Sequence, residues 1–135
     1  MPGKIQGKTP LALVIDDDDA VRDTLCDMLE EIGLRTAAAE DGEKGIRLFK
    51  AEPPDVVVTD ILMPVMEGIE TIIRIRQIDP DVPIIAISGG NASNQPYLDY
   101  ARKLGASRIL EKPIRLQELT RALGDLAPSA RREAD

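Results

Sequence analysis

The run LALVIDDDDAVRD, residues 11–23, is where the fold can be read first. Five apolar residues end in four aspartates, Asp16 to Asp19, and a helix-period pattern begins at once. Val21, Leu25, Met28, Leu29 and Ile32 are spaced 4, 3, 1 and 3, and Gly33 follows as a helix terminator. A buried strand therefore runs straight into an amphipathic helix. Adjacent carboxylates repel and raise one another's pKa unless something positive arrives. Such a cluster either needs a metal ion or divides between two structural jobs, and here both apply.

The same alternation recurs along the chain. RTAAAE (35–40) reads as a weak strand, followed by the Asp41-Gly42 turn and a helix carrying Ile46 and Phe49. DVVVT (55–59) is rich in β-branched residues, as expected of a strand covered on both faces. Ile69, Ile72, Ile73 and Ile78 mark a third helix, and PIIAIS (83–88) another buried strand. Residues 96–104 look helical up to Gly105, RIL (108–110) is a short strand, and Leu116, Leu119, Leu123 and Leu126 stripe the last helix. Five β-α units imply a parallel sheet with helices on both faces. The predicted fold is α/β, a flavodoxin-like doubly wound (βα)5 three-layer sandwich with strand order 2-1-3-4-5. Its expected limits are a flexible segment over 1–10, one domain over 11–127 and a frayed polar tail over 128–135.

Composition narrows the function. A length of 135 residues suits one domain with a proper core. The net charge of −7 argues against a nucleic-acid or anionic-membrane binder, since both partners are polyanions. The one cysteine, Cys26, excludes an intrachain disulfide and reads as an inert helix residue. MPGKIQGKTP lacks a signal-peptide core, and no run approaches the roughly 20 apolar residues of a membrane span. A soluble, cytoplasmic protein is expected. There is no histidine, which removes Ser-His and Cys-His nucleophile pairs and imidazole metal sites. Trp is absent and the aromatics are Phe49, Tyr97 and Tyr100, too few for base stacking.

In open parallel sheets ligands bind outside the carboxyl ends of the strands. Asp16 and Asp17 follow the first strand, Asp60 the third, Ser88 ends the fourth and Lys112 follows the fifth. With strands one and three adjacent, three carboxylates converge beside a hydroxyl and an ammonium. Clustered carboxylates with a backbone carbonyl suit Mg²⁺. An ionised Asp can attack phosphorus, and flanking cations neutralise the phosphoryl oxygens in transit.

The acidic pair Asp16-Asp17, the stretch VVVTDILMPVMEG around Asp60, Ser88 with Gly89, and Lys112-Pro113 together resemble the receiver domain of two-component response regulators. The resemblance runs from about Leu11 to Leu126 and is closest to stand-alone, chemotaxis-regulator-like receivers. It implies that Asp60 accepts phosphate from a phosphohistidine on a sensor histidine kinase or histidine phosphotransfer protein. It also implies that Asp17, Asp60 and the Leu62 carbonyl bind Mg²⁺ directly, with Asp16 acting through water. Ser88 and Lys112 would contact the phosphoryl group, and the Lys112-Pro113 bond would be cis. Such a module is no enzyme beyond assisting its own phosphorylation and dephosphorylation. Two departures stand out: Ile109 occupies a position where many receivers carry an inward-swinging Tyr or Phe, and SGGNASNQP (88–96) is long. Leu62 and Gly90 offer no group to orient an attacking water, so slow phosphoryl hydrolysis is expected.

Asp18 and Asp19 fall where the first helix begins, and read as its cap and first acid. Met63-Pro64 and Gly68 read as shaping the loop after Asp60 and opening the third helix. The main alternative is a haloacid-dehalogenase-type phosphatase, because Asp17-Asp18-Asp19-Ala20-Val21 fits D-x-D-x-V with Asp17 and Asp19 as the working acids. The short chain, without room for a cap, and the placement of Asp60 and Lys112 weigh against it. A calcium loop lacks its central Gly and has Ala20 at a ligand position, and an acidic first loop would repel FMN phosphate. From Ala101 to Arg121, six cations (Arg102, Lys103, Arg108, Lys112, Arg115, Arg121) stand against Glu111 and Glu118, with Tyr97 and Tyr100 just upstream. The 97–121 face therefore reads as a docking surface for an acidic protein partner or a second copy.

Overall fold

The computed structural model describes residues 9–61, 68–89 and 95–126, with the side chains of 95–98 and 126 left aside. The terminal segments expected at 1–10 and 128–135 fall almost wholly outside them, as do Leu62, Met63-Pro64 and Gly90. The elements alternate as read: β1 (Leu11–Ile15), α1 (Asp19–Ile32), β2 (Arg35–Ala39), α2 (Gly42–Ala51), β3 (Val56–Asp60), α3 (Gly68–Ile78), β4 (Ile84–Ser88), α4 (Gln95–Leu104), β5 (Arg108–Glu111) and α5 (Leu116–Leu126). Every strand pairing is parallel, and the order is β2-β1-β3-β4-β5.

Alternation along the strands divides the core into two layers. Leu13, Ile15, Val57 and Ile84 face a cluster completed by Ile46 and Phe49 of α2, Ile72 and Ile75 of α3, and Ala101 of α4. Ala12, Val14, Val58, Ile85 and Ile87 face the opposite cluster, closed by Leu25 and Leu29 of α1 and Leu119 and Leu123 of α5. The central strands β1, β3 and β4 are buried throughout, which accounts for their unbroken apolar runs. β2 is weak in sequence because it is an edge strand, where Thr36, Ala37 and Ala38 are only partly buried. Truncating a core side chain such as Ile75 to Ala would cost about 2–5 kcal/mol.

One helix position differs from the sequence expectation. Ile78 is 41% exposed, whereas Ile75 is fully buried. At about 100° per residue, Ile69, Ile72 and Ile75 form one stripe, and Ile78 lies roughly 120° from its centre. Capping is as expected: the Asp18 carboxylate accepts from Ala20 N at 2.9 Å and Val21 N at 3.2 Å. No helix among the described residues is long and apolar enough to cross a membrane.

Candidate functional site

The alternation that sends Val14, Val58 and Leu110 toward α1 and α5 also brings Asp16, Asp60 and Lys112 to that side, at the carboxyl end of the sheet. Asp16 follows β1, Asp60 ends β3 beside it, and Lys112 follows β5. Carboxylate oxygens of Asp16, Asp17 and Asp60 lie within 4.8 Å of one another. Lys112 Nζ stands 3.6 Å from Asp16 Oδ2 and 3.5 Å from Asp60 Oδ2. These are charge contacts rather than hydrogen bonds, so Asp16 Oδ2 is buried without a hydrogen-bond partner. Ser88 ends β4, buried, and its carbonyl accepts from Lys112 N at 2.8 Å, which ties the end of β4 to the start of the Lys112 turn. The Lys112-Pro113 peptide is cis, as the resemblance implied.

Burial pushes the Asp16 carboxyl above its ordinary range, against the Asp18 N–H and the Lys112 charge, which pull it down. Asp17 and Asp18 add to the rise. A buried acid in that condition, with one free oxygen and two acids beside it, suits a hard divalent cation supplied with oxygen ligands. The structure thus brings together four of the residues singled out in the sequence, with Ser88 on the adjacent strand end. Leu62 is outside the described residues.

Sequence reasoning missed two things here. Lys112 was the one cation expected beside the aspartates, yet Arg22 also pairs with the Asp19 carboxylate and reaches the Asp16 carbonyl oxygen at 2.8 Å. Its spacing of three residues from Asp19 was the available signal. Gly68 opens α3 as read, but its N–H also bonds the Ile61 carbonyl at 2.8 Å, so it packs on the end of β3. Asp19 is 84% exposed and engaged with Arg22, outside the carboxylate group, so the Asp17/Asp19 pair of a D-x-D-x-V phosphatase is not assembled. Burial raises the Cys26 thiol pKa, consistent with an inert residue. Beside Lys112, an apolar hollow of about 330 Å³ runs between Val21, Thr24 and Leu25 of α1 and Pro113 and Ile114.

The model of the response regulator receiver domain matches residues 12–124. The chain belongs to that family. Receiver domains are signalling modules of two-component systems, take phosphoryl groups from histidine kinases and are not classical enzymes. Over 122 residues this receiver is 34% identical to the autoinducer 1 sensor kinase/phosphatase LuxN of Vibrio campbellii, covering 90% of this chain and 14% of that protein. It is 34% identical over 107 residues to the response regulator MprA of Mycolicibacterium vanbaalenii, covering 79% of this chain and 46% of that one. It therefore spans less than half the length of either relative. A response regulator receiver domain protein from Clostridium thermocellum superposes with a TM-score of 0.82 at 28% identity, over 90% of this receiver and 97% of that chain.

Proposed function

We propose that Asp60 is the phosphoacceptor of this receiver, and that its donor is a phosphohistidine on a histidine kinase or phosphotransfer protein. The observation that carries this is the Lys112 ammonium poised between Asp60 and the orphaned oxygen of Asp16. An Asp60 carboxylate oxygen forms the new bond to phosphorus as the nitrogen–phosphorus bond of the donor breaks. The imidazole keeps the electron pair and takes up a proton. Lys112 offers a point charge to the phosphoryl oxygens, and the Ser88 hydroxyl one hydrogen bond. Asp17, Asp60 and the Leu62 carbonyl are the residues that would hold Mg²⁺ directly, with Asp16 acting through water. When bound, Mg²⁺ spreads the charge of the transferring group. The absence of histidine fits a donor supplied from outside.

The donor must cover the mouth of the site, and the apolar hollow beside Lys112 offers it a dry surface. Output is assigned to the 97–121 face, with the reading of its charge adjusted. Arg102 pairs with Asp99 and Arg108 with Asp125, so Lys103, Arg115 and Arg121 carry the exposed positive excess. Tyr100, 52% exposed, lies on the same face, and Tyr97's side chain is outside the described residues. Ile109 is partly buried against the α2–α4 cluster. The module works in the cytoplasm, without nucleic acid or membrane as direct partners.

The test is incubation with acetyl phosphate, with and without Mg²⁺, read by intact mass. One added phosphate, dependent on Mg²⁺ and absent in Asp60→Asn, is the expected result. An undiminished mass shift in Asp60→Asn overturns the assignment.

A further inference from the structure

Asp16 and Asp17 sit on a short connection that belongs to neither neighbouring element. β1 ends at Ile15, and the first helical acceptor of α1 is the Asp18 carbonyl, bonded by Arg22 N at 2.9 Å. The Asp16 carbonyl thus falls between the strand's ladder and the helix's. Arg22 supplies its donor: Nη1 reaches that oxygen at 2.8 Å, while Nη2 pairs with Asp19. Although Arg22 lies on the first turns of a surface helix, its side chain is only 16% exposed.

With that bond counted, Asp16 is fixed at three atoms. Its N–H donates to the Ala39 carbonyl at 3.1 Å, its Oδ1 accepts from Asp18 N at 2.9 Å, and its carbonyl accepts from Arg22. Only Oδ2 is left, and that oxygen faces Lys112 and the carboxylate group. The carbonyl that Arg22 holds is half of the peptide unit joining Asp16 to Asp17. Fixing that plane fixes the line of the Asp17 N–Cα bond and leaves rotation about φ as the one backbone freedom that turns its side chain.

We propose that Arg22 is a positioning residue for the metal site: it clamps the Asp16–Asp17 peptide and thereby aims both carboxylates at the cation. This rests on the metal reading given above. A cation placed beside a cation site is unfavourable on charge alone. Asp19 offsets that cost locally, because it pairs with the same guanidinium, and Asp23 and Glu40 also lie in its field. The guanidinium fork suits the task, since one group must serve a carbonyl and a carboxylate at once. Lysine has the charge but not the fork.

A positioning role and a bare charge effect at Arg22 predict opposite signs. As a mere nearby charge, its neutralisation tightens Mg²⁺, because a repulsion is removed. As a positioning residue, its loss weakens Mg²⁺, by about tenfold at the lower end of what outer partners of metal ligands contribute. The experiment is titration of the full chain with magnesium chloride at constant ionic strength, followed by calorimetry, for wild type, Arg22→Gln, Arg22→Lys and Asp17→Asn. Arg22→Gln is expected to bind about tenfold more weakly, with Arg22→Lys in between, as charge is kept and one of two bonds is lost. Affinity in Arg22→Gln equal to or above wild type, while Asp17→Asn weakens binding, overturns the positioning role and leaves the metal site standing. Unchanged affinity in Asp17→Asn overturns the metal site itself, and the positioning role with it. If Arg22→Gln has no cooperative melt in EDTA, Arg22→Lys decides: weaker binding with an unchanged melt supports the role, and equal binding ends it.

Discussion

Gly68 lies directly against the backbone of Asp60: a Cβ at Gly68 would stand 2.1 Å from the Asp60 carbonyl oxygen. It would also come within 2.4 Å of Ile61 Cα and 2.6 Å of the Ile61 carbonyl oxygen. These neighbours are main-chain atoms, so they cannot swing aside as a side-chain tip would. Gly68→Ala should therefore destabilise the fold by about 1–3 kcal/mol, the usual range for overpacking. Because the displaced atoms carry Asp60, phosphorylation by acetyl phosphate should slow even where the variant remains folded. Urea denaturation and a phosphorylation time course check both parts. A variant with wild-type stability and rate would show that the chain relaxes there at no cost.

Asp16 is a site residue held at the expense of stability. Its folded pKa is raised by burial, so the folded chain favours the protonated form more than the unfolded chain does. The associated stability is fully present below the unfolded pKa and is lost as pH rises through the folded one. At neutral pH, without metal, the ionised carboxyl works against folding. Asp16→Asn should raise the melting midpoint in EDTA at pH 7. The gain should shrink as pH falls into the ordinary carboxylate range, and the same substitution should weaken Mg²⁺ binding. Melts across that pH window decide it. A midpoint that falls at pH 7 would contradict the direction.

Arg76 joins two loops at the end of the sheet opposite the site. Its guanidinium donates to the Gly105 carbonyl from Nε at 3.2 Å and Nη2 at 2.7 Å, and from Nη1 to Val82 at 2.6 Å and Asp79 at 3.3 Å. Gly105 has φ +128°, and a Cβ there would meet Arg76 Nε at 2.6 Å, so the pair is matched in both conformation and space. Arg76→Ala should cost about 2–3 kcal/mol, since part-buried carbonyls lose charged donors. Arg76→Lys should cost less, because an ammonium reaches one of those acceptors. Urea denaturation ranks the three proteins. The extent of phosphorylation by acetyl phosphate should stay at the wild-type level while the variants are folded.

The exposed cations of the 97–121 face give a fourth test. Arg115→Glu with Arg102→Glu should abolish phosphorylation-dependent association, read by sizing and partner pull-down. Arg115 is the more telling position, because Arg102 is already partly balanced by Asp99 at 3.3 Å. Unchanged association in every condition would leave this face as solvated surface.

A last expectation concerns signal lifetime. Placing a polar side chain two residues after Asp60, as in Leu62→Asn, should speed loss of the phosphoryl group by giving water a partner near phosphorus. The measurement is phosphate release after removal of the donor. A rate no faster than wild type would dismiss this account.

The number and type of elements were legible because periodicity reports which face of each element is buried. LALVI, DVVVT and PIIAIS have the length and apolar continuity of interior strands of a parallel sheet, and the spacing after Asp19 is that of a helix with one apolar stripe. The chemistry of the site was legible for a related reason. A doubly wound sheet collects whatever ends or follows its strands at one edge, so the positions of Asp16, Asp17, Asp60 and Lys112 at or just past strand ends were enough to bring them together. Periodicity is silent about long side chains that cross between elements. Arg22 folding back on the Asp16 carbonyl, Arg76 spanning to Gly105, Arg108 finding Asp125 and the backbone of Gly68 meeting Asp60 depend on distances that exist only once the layers are packed. What the sequence determined by itself was the fold and which carboxylates and which lysine meet at one edge of the sheet. What tertiary structure decided was which charges are neutralised and which backbone atoms are held, because those contacts join residues whose separation in the chain carries no periodic signal.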